Sequence, residues 1–168
     1  MNGPRRFVAV DHFRRAIQEA AMTEKPVLYQ IASSASAAPF CPSAQPQMLE
    51  PRVLGVVREG ETSYLDSHVP LTDELLALTE PVGHSRVLRI AARCEENACT
   101  HFDGVNCRLA ARIVQLLPAV TATLPACLIR AECRWYRQEG RAACLRCPQI
   151  VTEFTDDNEA FRKAATGA

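Results

Sequence analysis

Three observations on this 168-residue chain predict an α+β fold, a small antiparallel sheet followed by a helical, loop-rich region. Short apolar runs near residues 53–57, 63–65 and 86–90 are separated by turn residues, as the strands of a small sheet would be. The stretch after Cys107 carries apolar residues at helical spacing. Seven of the eight cysteines fall between Cys94 and Cys147, so the C-terminal half must satisfy chemistry as well as packing.

The elements follow in order. Asp11 can cap a helix carrying Phe13, Ile17, Ala20 and Ala21, which Pro26 ends, and Val27-Leu28-Tyr29-Gln30-Ile31 reads as a strand. Residues 33–51 are rich in Ser, Ala and Pro and read as a flexible linker closing an N-terminal segment, 1–51. Cys41 lies in that linker, before Pro42. It reads as a bystander thiol, because a mobile loop cannot preorganise a ligand.

A small sheet with a short helix is expected over 52–92. Val53-Leu54-Gly55-Val56-Val57 is one strand, Glu59-Gly60-Glu61 the turn and Ser63-Tyr64-Leu65 the return. Thr72 caps a helix reaching Leu78, with Asp73 and Glu74 at its positive end. Pro81 and Gly83 stop it. Arg86-Val87-Leu88-Arg89-Ile90 alternates polar and apolar residues as a half-buried strand does. Residues 93–155 form a cysteine-rich metal-binding region, and 156–168 a C-terminal tail. Within the region, Leu109, Ile113, Leu116, Leu117 and Val120 make a helical stripe whose last turn meets Pro118. Residues 127–147 read as short helical turns broken by Gly140 and closed by Pro148.

Formal net charge is zero, which argues against a general nucleic-acid or membrane-surface binder. No apolar run approaches the roughly 20 residues of a membrane-spanning helix. Arg5 and Arg6 are followed by Asp11, His12, Arg14 and Arg15 rather than by a signal-peptide apolar segment. These features predict a cytoplasmic protein without a membrane partner. Arginine outnumbers lysine 17 to 2, in keeping with a GC-rich coding sequence. In a reducing compartment, clustered cysteines bind metal or do redox chemistry more often than they form disulfides.

The cysteines form two groups. Cys94-x4-Cys99-x-His101-x5-Cys107 places three thiols and an imidazole within 14 residues; Cys127-x5-Cys133-x10-Cys144-x2-Cys147 places four thiols within 21. Each group supplies four soft or borderline ligands, the number a tetrahedral zinc or a cubane cluster takes. Structural zinc sites usually show paired ligands two to four residues apart, and only Cys144-Leu145-Arg146-Cys147 has that form. Cysteines from both groups converging on one site is the alternative partition. His12, His68 and His84 have no such neighbours.

The ending Cys144-x2-Cys147-Pro148 resembles the close of the bacterial ferredoxin motif, where proline follows a cluster cysteine. The three closely spaced cysteines that precede it in ferredoxins are missing, so a ferredoxin fold is not implied. The longer string from Cys133-Arg134-Trp135-Tyr136 to Pro148 is similar to one in small bacterial cysteine-rich proteins of iron–sulfur type. The expected cofactor is one or two [4Fe–4S] clusters, with zinc as the alternative. Cys127, Cys133, Cys144 and Cys147 form the cofactor-binding set; Cys94, Cys99, His101 and Cys107 form the second metal set.

Between Cys127 and Cys147, five arginines (Arg130, Arg134, Arg137, Arg141 and Arg146) face two glutamates, Glu132 and Glu139. Such a surplus would favour the more negative, reduced state of a cluster. Trp135 and Tyr136 are candidates to shield a cluster or simply to fill the core. The functional expectation is an iron–sulfur redox, sensor or accessory protein with a protein partner, such as a redox enzyme or complex. A zinc-stabilised interaction module is the alternative, and an enzyme using an open cluster iron the second alternative. No phosphate-binding glycine loop, Gly-x-Ser-x-Gly elbow or His-Glu-x-x-His pair supports other catalytic chemistry.

Overall fold

The structure, a computed structural model, describes Arg15, residues 38–150 and residues 158–167. The helix and strand expected before residue 32 lie outside the described residues, apart from Arg15. The fold is α+β, as predicted. Four antiparallel strands, β1 (Phe40–Cys41), β2 (Arg52–Arg58), β3 (Glu61–Pro70) and β4 (Leu88–Arg93), form a sheet in the order β1-β4-β2-β3.

The hairpin β2–β3 turns at Glu59-Gly60 as the sequence implied. Its register shifts between Val53 and Gly55, a bulge that turns Val53 and Val56 to the same layer and Leu54 to the other. Gly55 is needed there: a Cβ would sit 2.5 Å from the Ser63 carbonyl oxygen. Thr72 caps α1 (Asp73–Ala77), its hydroxyl accepting from the Leu75 amide at 3.3 Å. The short α2 (His84–Val87) uses residues expected to begin a strand, so β4 starts at Leu88.

The sheet is covered on both faces. Val53, Val56, Val69, Leu88, Ile90 and Ala92 pack with Leu75 of α1 on one side. Leu54 and Ala91 face the cysteine-rich half on the other, against Ile113, Trp135, Ala143 and Ile150. The half-buried reading of β4 is therefore corrected. Its polar position, Arg89, is fully buried, because the cysteine-rich half covers the face that the alternation assigned to water.

The linker expectation is corrected too. β1 pairs with β4 through Phe40↔Arg93 and Cys41↔Ala92. Amides of Ala44, Arg93 and Cys94 donate to the carbonyls of Ile90, Leu49 and Pro39 at 2.8–3.2 Å. The Arg52 and Arg93 guanidinium carbons lie 4.1 and 4.0 Å from the Phe40 ring centre, a cation–π arrangement that fixes the buried ring.

The second half contains α3 (Arg108–Leu116), α4 (Arg134–Glu139), α5 (Arg141–Cys144) and α6 (Glu159–Thr166). Helix α3 stops before Pro118. Gly140 separates α4 from α5 with a φ of 59°, a conformation glycine adopts without cost. Part of the expected tail is the helix α6, capped by the Asn158 side chain and packed on α3 through buried Ala164.

Candidate metal centres

The described fold separates all eight cysteines, none of them in a disulfide, into two groups of four. Cys41, Cys94, Cys99 and Cys107 line a cavity of about 260 Å³. Cys41 comes from β1, and Cys94 follows β4 directly. Cys99 ends a single 3-10 turn, Glu96–Ala98, its amide donating to the Glu96 carbonyl at 2.8 Å. Cys107 opens α3. Its backbone is held from α4 by Gln138, which accepts from the Cys107 amide at 2.7 Å and donates to its carbonyl at 3.0 Å.

Burial raises the Cys41 thiol far above its ordinary value, against the pull of the Ser43 amide; neighbouring Cys94 and Cys107 push it further, and Arg89 pulls it down. Cys107 is also raised by burial, opposed by the amides of Ala110 and Leu109, with Cys94 and Cys99 adding to the rise. Thiolates here need a counter-charge.

Cys127, Cys133, Cys144 and Cys147 line a second, tighter cavity of about 20 Å³, room for about one water. Burial pushes Cys133 up to about 12, opposed by the amides of Tyr136 and Trp135 at the start of α4. Cys127 and Cys144 are raised by burial as well; the Ile129 amide pulls Cys127 back, and a hydrogen bond from Arg130 pulls Cys144 back. Tyr64 of β3 reaches in from the sheet to hydrogen-bond Cys147. The cysteine neighbours that perturb each thiol belong to its own group: Cys94 and Cys107 for Cys41, Cys147 and Cys144 for Cys127, Cys147 and Cys127 for Cys133.

Trp135 is shared. Only 1% exposed, it lines both cavities and forms the wall between them. Four buried N–H groups around the cysteines have no partner among the described residues: Arg89 Nη1, Arg130 Nε, Arg134 Nε and Trp135 Nε1. A buried donor without an acceptor costs roughly 1–3 kcal/mol. Donors collected about eight soft sulfur ligands fit an anionic, sulfur-rich group, whose sulfur atoms can accept from them.

The sequence-predicted residues distribute as follows. Cys127, Cys133, Cys144 and Cys147 come together. Cys94, Cys99 and Cys107 come together, and Cys41, expected in a mobile linker, lines the same cavity from a strand. His101 borders the same cavity, but its Nδ1 lies 3.2 Å from Arg112 Nη2. Arginine only donates, so Nδ1 is the acceptor and the neutral ring carries its proton on Nε2. Burial, then the charges of Arg112 and Arg108, hold His101 below its usual pKa and keep it neutral. A ligating histidine normally donates through its second nitrogen; this one accepts.

The arginine surplus between Cys127 and Cys147 is largely spent on carbonyls. Arg137 donates to Ala131, Arg141 to Ala122 and Arg146 to Leu117 and Ala142. Arg134 pairs with Glu96. Arg130 bears directly on thiols, through Cys144 and Cys127. The deepest cation at the site, Arg89, lies outside the string and was missed because strand alternation marked it as solvent-facing.

Among the described residues, no group of three or more His, Cys, Asp or Glu side chains is arranged to hold a metal ion. Nor is any described helix long and apolar enough to cross a membrane. Comparison with protein-family models, curated proteins and solved structures gives no match.

Proposed function

We propose that this chain is an iron–sulfur protein with two [4Fe–4S] centres, one on Cys41, Cys94, Cys99 and Cys107 and the other on Cys127, Cys133, Cys144 and Cys147. It serves in the cytoplasm as an electron carrier, sensor or accessory protein to a redox partner protein. The observation that carries this reading is the division of eight free cysteines into four and four around two cavities.

The choice of cluster over zinc rests on the room at the first group. A structural zinc draws its sulfurs to about 2.3 Å from one point, whereas a cubane gives each thiolate its own iron. The four thiols lining the roughly 260 Å³ cavity leave room for the second arrangement there, whereas the other four, around about 20 Å³, must open to take it. A bound cluster would supply one-electron redox chemistry within the range its environment sets.

The protein's own part is legible in its side chains. Trp135, Tyr64 and Ile150 exclude water, and unpartnered N–H groups supply donors to sulfur. The amides of Ser43, Ala110, Ile129 and Tyr136 favour the thiolate form of nearby cysteines. With four thiols at each cavity, no iron needs to stay open, which favours a carrier or sensor over an enzyme.

Anaerobic purification with iron, sulfide and zinc analysis tests the proposal. The expected result is a brown protein with about eight irons and about eight sulfides per chain. Colourless protein carrying stoichiometric zinc would replace this reading with a zinc-stabilised interaction module.

A further inference from the structure

Arg89 is fully buried on β4, between the two cysteine groups. Its Nε donates to the carbonyl of Pro42, the residue after Cys41. Its Nη2 lies 3.8 Å from Cys147 Sγ in the other group. The guanidinium carbon stands 5.9 Å from the ring centre of Trp135, the wall common to both cavities. Nη1 has no partner among the described residues.

Among the described residues, no carboxylate answers this charge. The ion pairs among the described residues join Arg52 and Arg93 to Glu50, Arg93 to Glu132, and Arg134 to Glu96; Arg89 is in none of them. A guanidinium cannot shed its proton to escape burial. An uncompensated buried ion costs several kcal/mol, so compensating negative charge must lie nearby. The cysteine groups on either side are the available source.

We propose that Arg89 is the shared counter-cation of two anionic thiolate centres, placed to bias both toward their more negative state. This rests on the two-centre reading above. A [4Fe–4S] core on four thiolates is anionic in both common oxidation states and gains one further negative charge on reduction. A fixed cation beside both centres therefore stabilises the reduced form of each. Arg89 acts through charge and position and is a positioning residue, not a ligand. Its consequence is coupling: the two reduction potentials respond together to one side chain.

The test compares wild type with Arg89→Gln and Arg89→Lys, purified without oxygen, by potentiometric titration followed by electron paramagnetic resonance. Arg89→Gln is expected to keep its iron and sulfide while both midpoint potentials shift negative. Arg89→Lys, which retains the charge, is expected to recover most of that shift. Movement of one potential alone, of neither, or of both equally in the two variants overturns the proposal. Arg89→Met replaces Arg89→Gln should the latter not fold.

The two readings fail separately. If wild type takes up no iron and sulfide, the cluster assignment falls, and cobalt(II) titration of the metal-free chain decides the role of Arg89. Weaker binding of both cobalt ions in Arg89→Gln then supports the shared cation. Unchanged affinity, or no cobalt bound by wild type, removes it.

Discussion

Arg112 donates from Nη2 to His101 Nδ1 at 3.2 Å, and the same guanidinium donates to the carbonyls of Ala164 and Ala165 at 2.6 and 3.1 Å. One arginine thus closes the end of α6 over the first cavity and uses the imidazole as a prop. His101 is tied into structure at the nitrogen a metal ligand would use to donate.

Removing the imidazole should therefore leave the centres in place. His101→Ala is expected to retain the iron and sulfide content and the resonance spectrum of wild type. It should lose about 1 kcal/mol of stability, the scale of one hydrogen bond, in a denaturant titration. Loss of one centre's worth of iron would restore His101 to the ligand set.

Cys41 should behave in the opposite way. Its backbone is fixed by the pairing to Ala92, and its sulfur shares a cavity with Cys94, Cys99 and Cys107. Cys41→Ser is expected to lose about half of the bound iron, roughly four atoms of eight, while the other centre keeps its signal. Full iron content in this variant would show that the first centre forms without it.

The contrast between these residues shows what local pattern can reveal. The hairpin, the Thr72 cap and α3 were legible because each depends on neighbours a few residues away. The grouping of Cys127, Cys133, Cys144 and Cys147 was legible because short helical turns keep them close. Cys41 was not, since a two-residue strand has no periodicity and its partners lie some 50 residues on. Arg89 was hidden by the same rule that found its strand. Alternation assigns a side chain to a face, but only the tertiary fold says whether water or protein covers it.

The two cavities predict an order of loading. The first encloses about 260 Å³ and the second about 20 Å³, so the second must open to admit more than a single ion or water. Under limiting iron and sulfide, the Cys41 centre should fill first. Cys133→Ser should leave the early phase of reconstitution unchanged and abolish the late one, whereas Cys99→Ser should abolish the early one. Equal rates at both centres would contradict the difference in closure.

The buried thiols also fix a pH dependence for the metal-free protein. Cys133 moves from the ordinary 9.0 to about 12, and Cys41, Cys107, Cys127 and Cys144 are raised as well, burial being the main cause for each. The unfolded chain gives up these protons first, so between the unfolded and folded values the native state holds more protons than the unfolded state. Stability is then full below pH 9.0 and falls as pH rises, by about 1.4 kcal/mol per pH unit for each such thiol. Denaturant midpoints of metal-free protein should stay level from about pH 7 to about pH 9 and drop steeply above it. Loaded protein has already released those protons to solvent on binding metal, so it should show no alkaline drop and instead release its centres in acid. A flat alkaline profile without metal would mean that the thiols are not buried as described.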